Sequence, residues 1–321
     1  MHAAVLHTIG GVPRYEEFPE PLIGDQDSEV IVHVHAASLK PVDKQLASGA
    51  HYASRGGLPR VCGTDGVGHL DGGQRVFFGG ARPPHGSIAQ RTVVPRAFTF
   101  PIPENMNDET AAALPNPGVS AWLSLAHRAQ LARGENVLIL GATGVTGKLA
   151  VQIAKLLGAA RVVAAGRNPQ ALNRLHDLGA DATISLTLSA AELSDAFARE
   201  AGQSGFQVVM DYLWGPPAEA FLAAITRTEF AEVGAETRYV QAGESAGPTI
   251  TLPAAVLRST ALKIMGTAGI PSREVLADAF QQVMAYAAQK KLRIDTEQAP
   301  LAEIENAWQR EQSGRRLVIM I

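Results

Sequence analysis

Cysteine is almost absent from this sequence. Among its 321 residues the single cysteine is Cys62, so no disulfide can form within the chain and a cysteine-rich zinc site is excluded. A lone cysteine of this kind behaves as a small hydrophobic side chain. We therefore expect Cys62 to be buried.

Concentrated charge and long apolar runs are missing as well. Charged residues make up 18% of the chain, the net charge is −3, and lysine and arginine do not cluster, which argues against nucleic acid or a membrane surface as a partner. No stretch approaches the roughly 18 apolar residues of a membrane-spanning helix. The N-terminal MHAAVLHTIGG lacks the basic and apolar regions of a signal peptide. We expect a soluble, cytoplasmic protein.

The chain is long enough for two domains, and its pattern changes near Gly118. Before that point, short apolar segments such as EVIVHVHAAS and SIAQRTVV are separated by Gly, Pro and His, which predicts a β-rich region. After it, strands and helices alternate, which predicts a parallel sheet with helices on both faces. The strands of this second region are expected near 136–140, 161–165, 206–211 and 238–242.

The C-terminal segment RRLVIMI reads as one more strand, after an amphipathic helix. A β segment that follows a complete α/β unit is expected to return and pair with the first, β-rich region. The first domain is therefore predicted to be discontinuous, with residues 1–117 and 270–321 in one domain and 118–269 in the other.

The segment LILGATGVTGKLAVQIAK, Leu138 to Lys155, combines a strand, a glycine-rich turn and a helix. A nucleoside-triphosphate P-loop is excluded because Ala142 replaces its first glycine and Leu149 replaces its Ser or Thr. A dinucleotide site needs backbone close to a pyrophosphate at a helix start. Gly144 at the bend and Gly147 against the strand meet that need. An ordinary glycine-rich turn is the alternative.

The next predicted strand, ARVVAAG, ends at Gly166 and Arg167, about 20 residues beyond the turn, where the adenosine ribose is recognised. An NAD site has Asp or Glu there, to bind the 2′-hydroxyl. Gly166 leaves space and Arg167 supplies a cation, which favours the 2′-phosphate of NADP. The alternative is that Arg167 is a solvated arginine at a helix start.

Four segments, ASLKPVDKQLASGAHY, VCGTDGVGHLDGGQRVFF, AAALPNPGVSAWLSL and VLILGATGVTGKLAVQIAKLLGAARVVAAGRNP, follow the order seen in a known family. The chain resembles the medium-chain dehydrogenase/reductase superfamily, in its zinc-free quinone oxidoreductase branch. The resemblance implies a doubly wound parallel Rossmann sheet in an α/β fold, a β-rich GroES-like catalytic domain, NADP(H) and a homodimer.

The same resemblance predicts that no metal is needed. Where the zinc-dependent alcohol dehydrogenases have a Cys ligand three residues before an Asp, this chain has Lys40 before Asp43, and Thr64 replaces a His ligand. Ammonium and hydroxyl groups are poor zinc ligands. His33 and His35 share one strand face, but a third ligand at suitable spacing is missing, so we expect two surface histidines.

Two residues are candidates for chemistry on the substrate. Tyr52 matches a tyrosine that lies near the substrate carbonyl in related enoyl reductases, and its alternative role is packing. Lys40 replaces the Asn more usual in the branch. It is predicted to bind the substrate oxygen or the cofactor ribose, or to form an ion pair with Asp43.

The resemblance also assigns residues to the cofactor. They lie next to the nicotinamide, along the pyrophosphate, at the adenosine phosphate and at the ends of later strands, where ligands collect in open α/β folds. They are Asn116, Ser120, Gly141, Gly144, Val145, Thr146, Gly166, Arg167, Asn168, Leu213, Trp214, Gly243 and Gly266.

The function predicted from the sequence is NADPH-dependent, zinc-independent reduction of a quinone or an α,β-unsaturated carbonyl. Without a metal to stabilise an alkoxide, a conjugated acceptor that delocalises the incoming charge is the easier substrate. Two alternatives stay open. One is a non-catalytic NADPH-binding sensor or structural protein, and the other is a short-chain-type reductase that uses Tyr286 and Lys290.

Overall fold

The computed structural model describes residues 1–54, 56–226, 236–267, 272–311 and 314–321. The chain forms two compact units, the first made of Met1–Asn116 with Phe280–Ile321 and the second of Pro117–Ala279. The sequence predicted the boundaries after residues 117 and 269. Residues 269 and 270 lie outside the described ranges, and the second division between the units falls between Ala279 and Phe280, inside the helix Arg273–Ala288.

The strands and helices of the described residues have the following bounds. The strands are β1 His2–Leu6, β2 Arg14–Glu17, β3 Glu29–Leu39, β4 Arg60–Val61, β5 Asp65–His69, β6 Arg75–Gly79, β7 Arg91–Pro95, β8 Thr99–Pro101, β9 Asn136–Leu140, β10 Arg161–Gly166, β11 Ala182–Ser185, β12 Val208–Asp211, β13 Thr237–Gln241, β14 Leu262–Gly266, β15 Thr296–Pro300 and β16 Arg316–Met320. The helices are α1 Pro41–Ser48, α2 Asp108–Ala113, α3 Pro115–Trp122, α4 Val145–Leu156, α5 Pro169–Arg174, α6 Ala190–Ala201, α7 Gly215–Ile225, α8 Ala254–Ser259, α9 Arg273–Ala288 and α10 Ile304–Gln309.

The first unit is built on two sheets. Within the described residues, a larger sheet has the order β15-β16-β3-β5-β6-β8, with β7 also paired to β3, and a smaller sheet has the order β2-β1-β4. Strand β16 runs antiparallel to β3, with Leu317 opposite Leu39. The prediction that the C-terminal strand returns to the first region is therefore confirmed.

The core of the first unit forms where β3 and β16 meet α10. Leu39, Ile319 and Trp308 are buried together there, and Cys62 lies in the same cluster. Burial raises the pKa of the Cys62 thiol to about 12, so the side chain stays protonated and behaves as a hydrophobe. The expected buried cysteine is confirmed.

The second unit is a parallel sheet with the order β11-β10-β9-β12-β13-β14. All four strands that the sequence placed in this region are present, with ends shifted by at most two residues. Strand β9 lies at the centre because it is apolar at every position from 137 to 140 and can be buried on both faces. The order reverses between β9 and β12, which is where open α/β sheets bind ligands.

Helices α6 and α7 cover one face of this sheet. Phe197 and Phe221 are buried against Leu138 and Leu140 of β9. Burying side chains of this size contributes about 1.5–3 kcal/mol each, so the position of β9 is well fixed. Among the described residues, no helix is both long and apolar enough to cross a bilayer.

Candidate active site

The carboxyl edge of the parallel sheet gathers most of the residues that the sequence assigned to a cofactor. These residues lie at or just after the ends of β9, β10, β12, β13 and β14. All of them belong to the second unit. They are Gly141, Gly144, Val145 and Thr146, then Gly166, Arg167 and Asn168, then Leu213 and Trp214, and finally Gly243 and Gly266.

The turn after β9 depends on two glycines. Gly141 has a φ of +85°, a conformation that favours glycine. A Cβ on Gly147 would lie 2.3 Å from the carbonyl oxygen of Gly141, so only glycine lets α4 start this close to the strand. The sequence placed the bend at Gly144, and Gly144 closes this turn by donating its amide to the Gly141 oxygen at 3.1 Å. Gly144 has a φ of −74° and is the N-cap of α4.

The first turn of α4 presents backbone amides at the sheet edge. The amide of Lys148 donates to the oxygen of Gly144 at 2.9 Å, so Val145 and Thr146 before it have no intrahelical acceptor. Gly144 is exposed and Val145 and Thr146 are half-buried. Such a helix start, with its positive dipole end, suits an anionic group such as a pyrophosphate.

Replacing Gly147 by alanine should distort this turn. The added Cβ would overlap the Gly141 oxygen and would lie 2.6 Å from the Cα of Ala142. We expect the free energy of unfolding to fall by about 1–3 kcal/mol, measured by chemical denaturation. The matched control is Gly144→Ala, whose Cβ would meet only an ordinary contact at 3.4 Å.

The Gly144→Ala control should lose less than about 1 kcal/mol, the difference between glycine and alanine at an N-cap. Equal stability of the two variants would contradict the close approach of Gly147 to the Gly141 oxygen.

The end of β10 places a cation beside the turn. Gly166 is buried, and a Cβ there would lie 2.5 Å from the Thr143 side chain. Arg167 is exposed. The side-chain oxygen of Asn168 accepts from the amide of Ala171 at 2.9 Å and so caps α5. Arg167 is therefore the residue here whose charge faces solvent, while Asn168 is committed to the helix.

The loop after β12 is held by a buried acid that the sequence did not single out. Asp211 accepts from the amide of Leu213 at 2.8 Å, from the amide of Trp214 at 3.0 Å and from the hydroxyl of Tyr239 at 2.5 Å. The signal in the sequence was an aspartate that ends the apolar strand VVMD. A buried carboxylate in such a place needs several donors.

The first unit contains a cluster of buried charges around Lys40. The Lys40 Nζ lies 2.9 Å from Asp65 and 3.1 Å from Asp43, and it also donates to the backbone oxygen of Ser38 at 2.8 Å. The Lys40 side chain is only 1% exposed. The ion pair with Asp43 that the sequence offered as one role for Lys40 is present.

Helix α1 and strand β16 bring further groups to this cluster. Asp43 accepts from the backbone amide of Lys40 at 2.8 Å and so caps the start of α1. Arg316, on β16, is buried and donates to the oxygen of Leu39 at 3.2 Å. Burial would lower the pKa of Lys40, but Asp43 and Asp65 together outweigh it and raise that pKa. Lys40 is therefore charged at neutral pH.

Two polar side chains connect the Lys40 cluster to the surface of the first unit. The hydroxyl of half-buried Thr64 donates to Asp43 at 3.1 Å. The side-chain amide of Asn116, an exposed residue on α3, donates to Asp65 at 3.3 Å. The structure thus joins two predicted site residues, Lys40 and Asn116, through Asp65.

Tyr52 and Ser120 are placed elsewhere. Tyr52 is 93% exposed and its ring lies 4.1 Å from that of His51. Ser120 is exposed on α3, in the second unit.

His33 and His35 lie on β3, opposite its buried valines. They have a neighbour that the sequence spacing did not reveal. His69 on β5 stacks on His33 at 4.8 Å, and the His35 Nε2 lies 2.8 Å from the His69 Nδ1. Cross-strand pairing, rather than spacing along the chain, brings the three together. Within the ranges that the structure describes, no group of three or more His, Cys, Asp or Glu could hold a metal ion.

Comparison with known proteins identifies similar sequences and structures. The family model described as "Zinc-binding dehydrogenase" matches residues 145–285. A probable NADPH-dependent quinone reductase of Emericella nidulans is 28% identical, and the alignment covers 100% of both chains. The solved quinone oxidoreductase of Thermus thermophilus, whose structure was also determined with NADPH, is 27% identical, covers 100% of both chains and has a TM-score of 0.80. Along its whole length the chain is similar to quinone oxidoreductases, in agreement with the resemblance to the medium-chain dehydrogenase/reductase superfamily that its sequence motifs carry.

A relative that matches half of the chain is also named as a reductase. The chain is also similar to the 2-methylene-furan-3-one reductase of Solanum lycopersicum, with 32% identity over 50% of this chain and 46% of that protein.

One alternative from the sequence does not fit the structure. A short-chain reductase needs Tyr286 and Lys290 on one face of a helix. Helix α9 ends at Ala288, and Lys290 follows with a φ of +59°. The proposed pair was therefore wrong, because the i, i+4 spacing was read across a helix end.

Proposed function

We propose that this protein is an NADPH-dependent reductase that transfers hydride to a quinone or an α,β-unsaturated carbonyl. One observation carries the proposal: a glycine turn and helix start open to solvent, with exposed Arg167 at the end of the neighbouring strand. The names of the E. nidulans and T. thermophilus relatives support NADPH and a quinone, and that of the S. lycopersicum relative supports a conjugated carbonyl.

The residues present fit an NADP-type dinucleotide. Gly147 has no room for a Cβ against the Gly141 oxygen, which lets α4 begin close to the end of β9, and the Val145 and Thr146 amides suit the pyrophosphate. Arg167 suits the 2′-phosphate, because its planar guanidinium matches phosphate geometry. When bound, NADPH supplies the hydride. The protein fixes its position relative to the acceptor and keeps water away.

The Lys40 cluster supports a reaction without zinc. Asp43 and Asp65, the carboxylates next to the positions of the zinc ligands, already face the Lys40 ammonium at 3.1 and 2.9 Å. A divalent cation at the same place would meet a positive charge instead of a thiolate, and Thr64 offers a weak hydroxyl ligand. The donor set therefore does not fit zinc.

We propose that Tyr52 donates a hydrogen bond to the substrate oxygen as charge develops on it. The phenol is exposed and so accessible to a substrate. Lys40 is too deeply buried to touch a substrate as it stands, and its proposed role is to hold Asp65 and, through Asp65, Asn116 in place.

The decisive assay is steady-state oxidation of NADPH by a naphthoquinone and, separately, by a simple enone. We expect turnover with at least one acceptor, and unchanged rates after prolonged dialysis against EDTA. Tyr52→Phe should lower kcat while the Kd for NADPH stays the same. Loss of activity in EDTA that added zinc restores would refute the metal-free mechanism.

The same assay addresses the sensor alternative. A non-catalytic NADPH-binding protein would bind NADPH in calorimetry but oxidise it with no member of a broad panel of quinones and enones. That combination would overturn the reductase proposal and favour a sensor or structural role.

The homodimer implied by the family has a candidate surface in β14. This strand is at the edge of the described sheet and pairs with β13 alone among the described strands. Its Ile264 and Lys263 are exposed. We propose that two copies associate along this edge. Light scattering at micromolar concentration should give twice the 33.9 kDa of the chain.

A further inference from the structure

Trp214 has a backbone conformation that a tryptophan rarely adopts. Its φ is +57° and its ψ is −159°, a region populated almost only by glycine. Gly215, next in the chain, also has a positive φ, of +59°. Strain of this kind persists only where the surroundings over-determine it, and it concentrates at functional sites.

A buried carboxylate maintains this conformation. Asp211 is 0% exposed, and the amide of Trp214 reaches both of its oxygens, at 3.0 and 3.1 Å. The amide of Leu213 donates to the same carboxylate at 2.8 Å. Burial raises the pKa of Asp211, and hydrogen bonds from Tyr239, Leu213 and Trp214 oppose that rise.

Tyr239 fixes the other side of the carboxylate and supports the indole. Its hydroxyl donates to Asp211 at 2.5 Å, and the residue is fully buried on β13. The ring of half-buried Trp214 packs edge-on against the Tyr239 ring, with 6.1 Å between centroids. Tyr239 therefore contacts both Asp211 and Trp214, the residue that Asp211 positions.

The strained loop directly adjoins the glycine turn. Asp211 is in register with Leu140, the last residue of β9. A Cβ on Gly141 would lie 3.0 Å from the Leu213 side chain. The two loops therefore flank the point where the strand order reverses, the usual ligand crevice of such sheets.

We infer that Asp211 and Tyr239 are positioning residues that hold Trp214 in a strained conformation, so that its indole forms one wall of the dinucleotide site. The inference rests on the proposed function, since it assigns NADPH to this crevice. Asp211 and Tyr239 touch the loop and not the cofactor. They act on NADPH affinity rather than on hydride transfer.

The test compares Asp211→Asn and Tyr239→Phe with the unmodified protein. In Asp211→Asn the negative charge is lost, and only one oxygen remains to accept from the Leu213 and Trp214 amides while the NH2 group meets the Tyr239 hydroxyl, so the loop is held less tightly. Tyr239→Phe keeps the ring and removes only the hydroxyl. We expect the Kd for NADPH, from calorimetry, to rise about tenfold in Asp211→Asn and by a smaller factor in Tyr239→Phe. At saturating NADPH, kcat should stay within about twofold.

Two measurements on the protein without NADPH report whether Asp211 holds the Trp214 loop. The emission of Trp214, obtained by subtracting the spectrum of Trp214→Phe, should shift to longer wavelength in Asp211→Asn as the indole is exposed. Trp214→Gly removes the strain, because glycine adopts this conformation at little cost. We expect Asp211→Asn to lower the Tm less in the Trp214→Gly background than in the unmodified protein.

A matched control separates positioning from general destabilisation. Asp181 also accepts a backbone amide, that of Val162 at 2.6 Å, but this contact is near the start of β10 and not at its carboxyl end. Asp181→Asn should lower the Tm and leave the Kd for NADPH unchanged.

Either of two results would overturn the inference. The first is a Kd for NADPH within twofold of the unmodified value in both Asp211→Asn and Tyr239→Phe, and this would leave the reductase proposal intact. The second is the absence of NADPH binding by the unmodified protein, which would overturn the proposed function as well.

Discussion

Replacing Lys40 by methionine is expected to lower the free energy of unfolding by about 3–5 kcal/mol, because it leaves buried carboxylates without their counter-charge. The side chains of Lys40 and Asp43 are 1% and 0% exposed, so water cannot replace the ammonium. Asp65, 2.9 Å from the Lys40 Nζ, would lose its partner as well. Urea denaturation at neutral pH measures the loss.

The matched control for Lys40→Met is Arg91→Met. Arg91 pairs with Glu20 at the surface, where its side chain is 45% exposed, and such pairs are worth about 0–1 kcal/mol. Neutralising one acid in Lys40→Met/Asp65→Asn should restore part of the loss. A Lys40→Met protein as stable as the Arg91→Met control would show that the buried cluster does not stabilise the fold.

The contribution of Lys40 has a defined pH dependence. Its pKa in the folded protein lies above the ordinary value of 10.5. The stabilisation is therefore complete below about pH 10.5 and is lost as the pH rises through the higher, folded-state pKa. The titration of Lys40 itself therefore contributes no pH dependence to the difference in stability between the unmodified protein and Lys40→Met between pH 6 and pH 9.

Arg167→Ala should raise the Kd and KM for NADPH by about 10- to 150-fold, because a charge-assisted contact to a phosphate contributes about 1.5–3 kcal/mol. The constants for NADH, which lacks the 2′-phosphate, should change less than about twofold. Arg167→Lys keeps the charge but loses the planar fork, and we expect an intermediate value. Calorimetry with both cofactors measures the effect without an acceptor.

Arg174→Ala is the control for charge alone. Arg174 is exposed, as Arg167 is, but it is the last residue of α5, the helix that begins two residues after Arg167. It should change neither cofactor's Kd by more than about twofold. If Arg167→Ala weakens NADPH and NADH equally, Arg167 does not read the 2′-phosphate.

The two units differ in how well the sequence predicts them. Strand, turn and helix around the glycine motif follow from local signals: apolar runs, helical periodicity and glycine at positions without space for a side chain. The positive φ at Gly141 was not predicted, because such a value does not show in the residue types when several glycines are close together.

The second boundary between the units was predicted between residues 269 and 270, which lie outside the described ranges. The units divide inside α9, which runs without a break from Arg273 to Ala288. A continuous helix carries no change of composition that would mark a boundary in the sequence.

By itself the sequence determined the alternation of strands and helices, the return of the C-terminal strand, and the glycine cradle with Arg167 at the next strand end. Those features depend on residues near one another in the chain or on a periodic pattern. Only the tertiary structure decided that Lys40 is buried between Asp43 and Asp65, and that Asp211 meets Tyr239. Lys40 and Asp65 are 25 positions apart, and Asp211 and Tyr239 are 28. Whether such groups attract strongly depends on how much water the packing removes around them, and that is a property of the folded chain.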